Sequence, residues 1–411
     1  MHAGDCGERV NRAAIAVTPA RLSALILGLV TAVLLTSCTS TPTANGQGGG
    51  SASSAAAVSK ASITVNPGAG TRGVRPSDPV SVVATNGKLT SVVVKAAGGA
   101  PLSGSLSADQ ATWTATSSLL PLSTSFVVVA QAVDPDGRAK TLKSTFSTVR
   151  PTGTLKAVWS AGPQGKKVGV GMPILVAFSS PVTDKAAVER QMAVSLSIPI
   201  EGSWHWFSDK SVHWRPKTFW PAGEQVSVTL GLRGIDAGNG VWGTTDYTFG
   251  YNIGSSMIST VDVTRHTMTV TESGRVLRVI PITTGKPGYA TRGGIKVIMT
   301  QETSRVMDST TVDIPKSSPD AYHLTVKYAQ RLTWSGEFLH AAPWSVGSQG
   351  HANVSHGCTG MSDANAIWLF GVSKIGDVVS YVHSARPLEQ GNGWTDWNLS
   401  WTAWQAGSAL A

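Results

Sequence analysis

From Ile63 onward the chain is dominated by short apolar runs of period two separated by turn residues, and such runs read as strands. Val80 to Val83, Ser91 to Val94, Thr112 to Thr116 and Phe126 to Val133 come first, and Asp134-Pro135-Asp136-Gly137 makes a tight turn before Lys140 to Thr148. The layout returns about a hundred residues later, which marks an internal repeat. Trp113 matches Trp214, Leu120-Pro121 matches Trp220-Pro221, Phe126 to Val129 matches Val226 to Thr229, and Asp134 to Gly137 matches Asp236 to Gly240. A third set begins after Tyr251-Asn252-Ile253, with strands at Ser259 to Thr264, Thr267 to Glu272 and Arg275 to Thr284. Arg265-His266 and Ser273-Gly274 are the turns of that meander, and Ile295 to Gln301 is expected to continue its sheet. Between Glu302 and Gln330 the alternation lapses into polar residues with two prolines, which predicts a long irregular insert of the lid or binding-loop kind. Arg331 to Leu339 reads as the next strand, delivering His340 at its end, followed by a loop from Ala341 to Val354 and a tight turn from Ser355 to Gly360. Ser362 is a plausible N-cap for a helix through Lys374 with Ala366, Ile367 and Phe370 inward, and Val378 to His383 is the closing strand.

The predicted fold is therefore mainly β: two tandem immunoglobulin-like sandwiches over 61–150 and 151–252, then a β-rich domain with a short helix over 253–385. A chain of 411 residues is too long for one core, and 44 Gly and 21 Pro with 14% charged residues suit turn-rich β domains. The tail, 386–411, carries Trp394, Trp397, Trp401 and Trp404, which are expected to pack back on the body; a carbohydrate platform is the alternative. His205 and His213 alternate with Trp204, Trp206 and Trp214, where a sugar or metal site competes with the plainer reading of a core or domain junction.

Arg9, Arg12 and Arg21 precede the apolar run Leu22 to Leu35, which is short for a membrane span and right for a signal-peptide core. Residues 1–37 are read as that signal. Leu35-Thr36-Ser37-Cys38 resembles a bacterial lipobox, which implies a lipid on Cys38; a plain signal peptide is the alternative. Residues 38–60 are Ser-, Thr-, Ala- and Gly-rich and read as a flexible tether. The expected address is the outer face of the cytoplasmic membrane, lipid-anchored in the cell-wall space. The net charge of +9 comes with no basic cluster or recognition motif, so it speaks for anionic wall polymers and lipid head groups and against nucleic acid.

Export also orders the three cysteines. Cys6 leaves with the signal and Cys38 is lipidated, so Cys358 remains as a working thiol. It lies in the stretch His340 to Met361 with His340, His351 and His356. A free thiol is barely ionised at neutral pH, so a cysteine nucleophile needs a histidine beside it. A tetrahedral zinc site from the same four side chains is the rival.

Ser355-His356-Gly357-Cys358-Thr359-Gly360, with His340 upstream, resembles the signature of the L,D-transpeptidases of YkuD type, cell-wall enzymes with a cysteine nucleophile. That signature reads His, a spacer, Ser or Thr, His-Gly-Cys, an apolar residue and Asn; Thr359 and Gly360 depart from its last two positions. The paired sandwiches resemble the N-terminal half of the mycobacterial members. The resemblance implies Cys358 as nucleophile, His340 as base with its tautomer fixed by the carbonyl of Ala341, and His356 as a shaper of the turn. Backbone N–H groups of Gly357 and Cys358 are the candidate oxyanion hole. Met307, Tyr322, Trp344, Ser355 and Thr359 are candidate substrate-lining residues, and Val312, where relatives carry Tyr, is expected to leave one pocket wall more open.

The same resemblance implies acyl transfer from a peptidoglycan tetrapeptide stem to the side-chain amine of a neighbouring stem, a 3→3 cross-link. It needs no cofactor or metal, and β-lactams of the carbapenem class are expected to acylate the cysteine. An L,D-carboxypeptidase on the same scaffold and a wall-binding protein with a weakened site are the alternatives.

Overall fold

The structure is a computed structural model and describes residues 58–116, 119–159 and 167–411. The expected signal segment, Cys38 and all but the last three residues of the expected tether lie outside the described residues.

The first sandwich pairs a four-stranded sheet (Ser62–Asn66, Ser81–Thr85, Thr112–Ala115, Gly104–Leu106) with a three-stranded one (Lys88–Ala96, Ser125–Val133, Ala139–Ser147). Strict alternation along Ser125–Val133 sends Phe126, Val128, Ala130 and Ala132 into its core. The second sandwich repeats the plan, with Ala157–Trp159, Ile174–Phe178, Ser211–Pro216 and Gly202–Ser208 facing Met192–Leu196, Gln225–Leu230 and Tyr247–Asn252. One device recurs in both. Trp113 lies against Gly104 and Trp214 against Gly202, where an added Cβ would sit 2.1 and 1.9 Å from the indole. The repeats part company after the Asp236 turn. The second domain inserts Val241–Gly243, parallel to Gly153–Leu155, before its last strand.

The third domain has two sheets. A six-stranded sheet holds the meander Met257–Asp262, Thr267–Glu272 and Arg275–Pro281, then Val378–Val382, Arg292–Val297 and Arg386–Pro387. Val378–Val382 comes late in the chain yet is central in space, parallel to Met257–Asp262 and antiparallel to Arg292–Val297. The second sheet runs Thr300–Asp308, His323–Arg331, Phe338–Ala341, Thr359–Met361. Val261, Met268, Val270 and Ile280 meet Leu339, Met361 and Leu369 in a core shared with the helix Asp363–Val372.

Three expectations are corrected here. The stretch from Glu302 to Gln330 is irregular only in its middle: Thr300↔Arg331 to Asp308↔His323 form a long antiparallel hairpin, joined by residues 309–322 with a short turn of helix at Ser309–Val312. Neither face of its first strand is fully buried, so its residues show no alternation. His340 does not end a strand begun at Arg331; it sits inside Phe338–Ala341, after a turn that breaks the run. The helix stops at Val372 and buries Ala366 and Leu369, while Ile367 is half exposed. Its Ser362 cap accepts from the N–H of Asn365.

The tail packs on the second sandwich. Trp394, Trp397 and Trp404 are buried, and Arg215 lies over the rings of Trp397, Trp401 and Trp404. His205 and His213 face this tail, at 2.8 Å from the Trp404 carbonyl and the Asp396 carboxylate, while Trp204, Trp206 and Trp214 face the sandwich core. That core continues into the third domain through Val297, Met299 and Val378.

Candidate active site

Two parallel strands build the site. Phe338–Ala341 pairs with Thr359–Met361 so that His340 stands opposite Gly360, and Cys358 precedes the second strand. Met307, Tyr322, His340, Trp344, Ser355, His356 and Cys358 line one cavity of about 310 Å³. Thr283, Leu324, Ser348 and Val354 complete much of its wall, which sequence reasoning did not anticipate.

His340 is buried, and its Nδ1 lies 2.7 Å from the carbonyl of Ala341. A carbonyl can only accept, so Nδ1 carries the proton and Nε2 keeps its lone pair. Burial holds the imidazole below its ordinary pKa, opposed by that carbonyl, so it is neutral at rest. The Cys358 thiol donates to the carbonyl of Gly336 at 3.4 Å rather than to His340. Burial pushes it up to about 12; the Phe338 backbone opposes the rise, Glu337 adds to it, and Lys296 and Arg331 oppose it. The resting pair is thus thiol and imidazole, not thiolate and imidazolium.

Hydrogen bonds tie the turn at Ser355, Gly357, Cys358 and Gly360. The Ser355 hydroxyl donates to the carbonyl of Cys358 at 2.6 Å and accepts from the N–H of Gly357 at 3.1 Å. Thr291 donates to the carbonyl of Gly357 at 2.8 Å, and the backbone of Gly360 exchanges two bonds with Thr283. Gly357 sits at φ 123°, a region that excludes side chains. The N–H of Gly357 is already engaged by the Ser355 hydroxyl, which leaves that of Cys358 as the freer of the two candidate donors.

Two candidate residues are corrected. Thr359 does not line the cavity: as the strand alternates, its side chain turns inward, fully buried and 2.7 Å from the Tyr381 hydroxyl. Val312 does not line the cavity either, but lies against Gly336, where an added Cβ would come within 2.9 Å of it.

His356 sits between the rings of Tyr289 and Tyr322, at 4.7 and 5.0 Å between centroids, with Nε2 3.5 Å from the carboxylate of Asp320. Lys286 and the Tyr289 hydroxyl also grip Asp320, and together they hold its carboxyl below the usual range. The sequence offered no pointer to this cluster, because Asp320 and Lys286 lie far from the motif along the chain. His351 is exposed on its loop. Among the described residues no three His, Cys, Asp or Glu side chains converge as metal ligands.

Residues 256–380 match the family model of the L,D-transpeptidase catalytic domain, and 71–236 match that of a bacterial Ig domain. L,D-transpeptidase 2 of Mycobacterium tuberculosis is 35% identical over 355 residues, covering 86% of each chain. L,D-transpeptidase 5 of the same species is 33% identical over 359 residues, covering 85% of this chain and 77% of the relative. A solved structure of L,D-transpeptidase 3 from Mycobacterium tuberculosis with a faropenem-derived adduct covers 55% of this chain and 97% of that one, at 31% identity and TM-score 0.46. Likeness that runs through sandwiches and catalytic domain alike puts the whole chain, beyond its Cys358 motif, in the L,D-transpeptidase family.

Proposed function

We propose that this L,D-transpeptidase cross-links peptidoglycan through a thioester on Cys358, with His340 as its general base. The observation that carries this reading is that His340 and Cys358 line one cavity, with the His340 proton committed to Ala341 so that Nε2 can accept another. Both groups are neutral at rest, so the thiol swings from Gly336 and passes its proton to Nε2 as sulfur attacks the donor carbonyl. The tetrahedral oxyanion takes the N–H of Cys358. His340 then returns the proton to the leaving D-Ala amine, and the thioester remains. The side-chain amine of a second stem attacks that carbonyl, the C–S bond breaks, and the amine proton returns through His340 to sulfur. The product is a 3→3 cross-link.

Tyr322, Met307 and Trp344 are the proposed donor-binding walls, with His356 packed between the rings of Tyr289 and Tyr322. Carbapenems, which carry a strained acyl carbonyl, are expected to acylate Cys358 by the same route. A signal over 1–37, a lipid on Cys38 and a tether to about residue 60 would place the enzyme on the outer face of the cytoplasmic membrane, within reach of the wall. Among the described residues no helix is long and apolar enough to cross a membrane. Cys38→Ser is expected to release the protein from the membrane fraction, and unchanged fractionation would remove the anchor.

Incubation with a tetrapeptide stem alone and with an added acceptor stem tests the reaction. Transfer predicts a dimer linked through the diamino-acid amine whenever acceptor is present. Free tripeptide in both incubations would instead favour the carboxypeptidase.

A further inference from the structure

A buried charge cluster lies beneath the nucleophile turn and takes no part in the chemistry above. Glu337 is 4% exposed, and its two oxygens meet Lys296 at 2.5 Å and Arg292 at 3.1 Å, with the Arg292 backbone N–H at 2.9 Å. Lys296 is fully enclosed and sits 3.7 Å from the centroid of the Tyr381 ring. Tyr381 reaches the hydroxyl of Thr359, the residue after the nucleophile. On the other side Glu337 packs on Gly357, where a Cβ would lie 3.7 Å from its carboxylate. Residue 337 also follows Gly336, whose carbonyl receives the thiol. The cluster therefore borders the nucleophile on three sides: below Gly357, below Thr359 and behind Gly336.

Such a cluster is a poor device for stability alone, since enclosing two cations and a carboxylate is expensive in desolvation and apolar residues of the same volume commonly do as well. The geometry points to Glu337, held by Lys296 and Arg292, as a positioning residue for the nucleophile: it fixes the turn that presents Cys358 and sets the charge behind the thiol. This rests on the reading of Cys358 as the acylated residue. The other titratable groups around the thiol are His340 on the neighbouring strand, Tyr322 and Arg331 of the hairpin, Tyr381 from the six-stranded sheet and His356 in the turn itself. Of the charged groups at the turn, Glu337 opposes the thiolate while Lys296 and Arg331 favour it.

A merely structural cluster would shift reactivity only through unfolding, whereas a positioning cluster of mixed sign shifts it in opposite directions. Iodoacetamide alkylation of Cys358 at pH 8 reads this directly, because the rate follows the thiolate fraction. Glu337→Gln is expected to react at least about threefold faster than wild type and Lys296→Met at least about threefold slower, a charge shifting a neighbour by about one unit and nucleophilicity offsetting part of it. Carbapenem acylation should slow in both, because the turn moves. Should Lys296→Met fail to fold, Glu337→Gln is compared with Lys296→Met/Glu337→Gln, and the single variant should be the faster. Folded variants that alkylate at the wild-type rate, or that shift in the same direction, overturn the proposal. Failure of wild type to be acylated by any donor would sink the functional reading instead, and the alkylation comparison would still decide this one.

Discussion

Gly360 stands where the family motif carries Asn, and at the scale of single residues the surroundings explain the change. A Cβ there would meet the Ala342 Cβ at 2.8 Å and the Thr283 Cγ2 at 3.2 Å. The turn is held beside it by the pair of backbone hydrogen bonds between Gly360 and Thr283, in addition to the Ser355 hydroxyl that the motif already supplies. Gly360→Asn is therefore expected to lower the melting temperature without speeding acylation, since overpacking typically costs about 1–3 kcal/mol. A variant as stable as wild type and faster to acylate would contradict this. The ionisation of Cys358 gives a second expectation at this scale. With its pKa pushed up to about 12, alkylation of the resting enzyme should climb steadily through pH 9 and 10. A plateau near neutrality would mean a preformed thiolate.

At the scale of elements, legibility followed contiguity. Cys358, His340, His356 and Ser355 share one stretch of twenty-two residues, so their convergence on one cavity was readable from the motif. The meander was readable too, because one face of Thr267–Glu272 is buried and its turns carry left-handed His266, Ser273 and Gly274. The hairpin Thr300–Asp308 with His323–Arg331 was not, because its first strand has no fully buried residue to set a period of two, and its second buries Val326, Ala329 and Gln330 out of alternation. With it went Asp320, in the connection at its tip, whose carboxylate bonds Lys286 and Tyr289 and lies 3.5 Å from the His356 ring. Asp320→Ala should loosen His356 and Tyr289 and raise KM for the donor stem more than it lowers kcat, read from steady-state kinetics. An unchanged KM would show that the cluster does not shape the donor pocket.

At the scale of the whole molecule, the second sandwich and the catalytic domain share a core, and their seam admits no added atoms. Gly169 and Gly171 donate backbone bonds to Ile375 and Gly376, and a Cβ on Gly169 would come 2.1 Å from the Asp377 backbone N and 2.3 Å from its carboxylate. The repeat with Trp113 and Trp214 announced two sandwiches, but nothing in periodicity announces which faces fuse, so this seam was not legible. Asp377 is buried in it, with one carboxylate oxygen bonded to the Lys374 N–H and the other without a partner. Burial raises its carboxyl from 3.8 to about 7, so the folded protein holds a proton that the unfolded chain releases between those values. The stability this supplies is full below the lower value and is lost as pH climbs through about 7. Asp377→Asn keeps the acceptor and removes the titration, so its melting temperature should change less between pH 5 and pH 8 than that of wild type. Equal pH dependence in the two proteins would contradict the assignment.

Acylation at Cys358 with His340 as base is read from intact-protein mass. The soluble fragment from about residue 60 is incubated with a carbapenem beside Cys358→Ala and His340→Ala. A single covalent adduct on wild type, absent from Cys358→Ala and formed much more slowly on His340→Ala, is the predicted result. An adduct that persists in Cys358→Ala, or none on wild type, would contradict it.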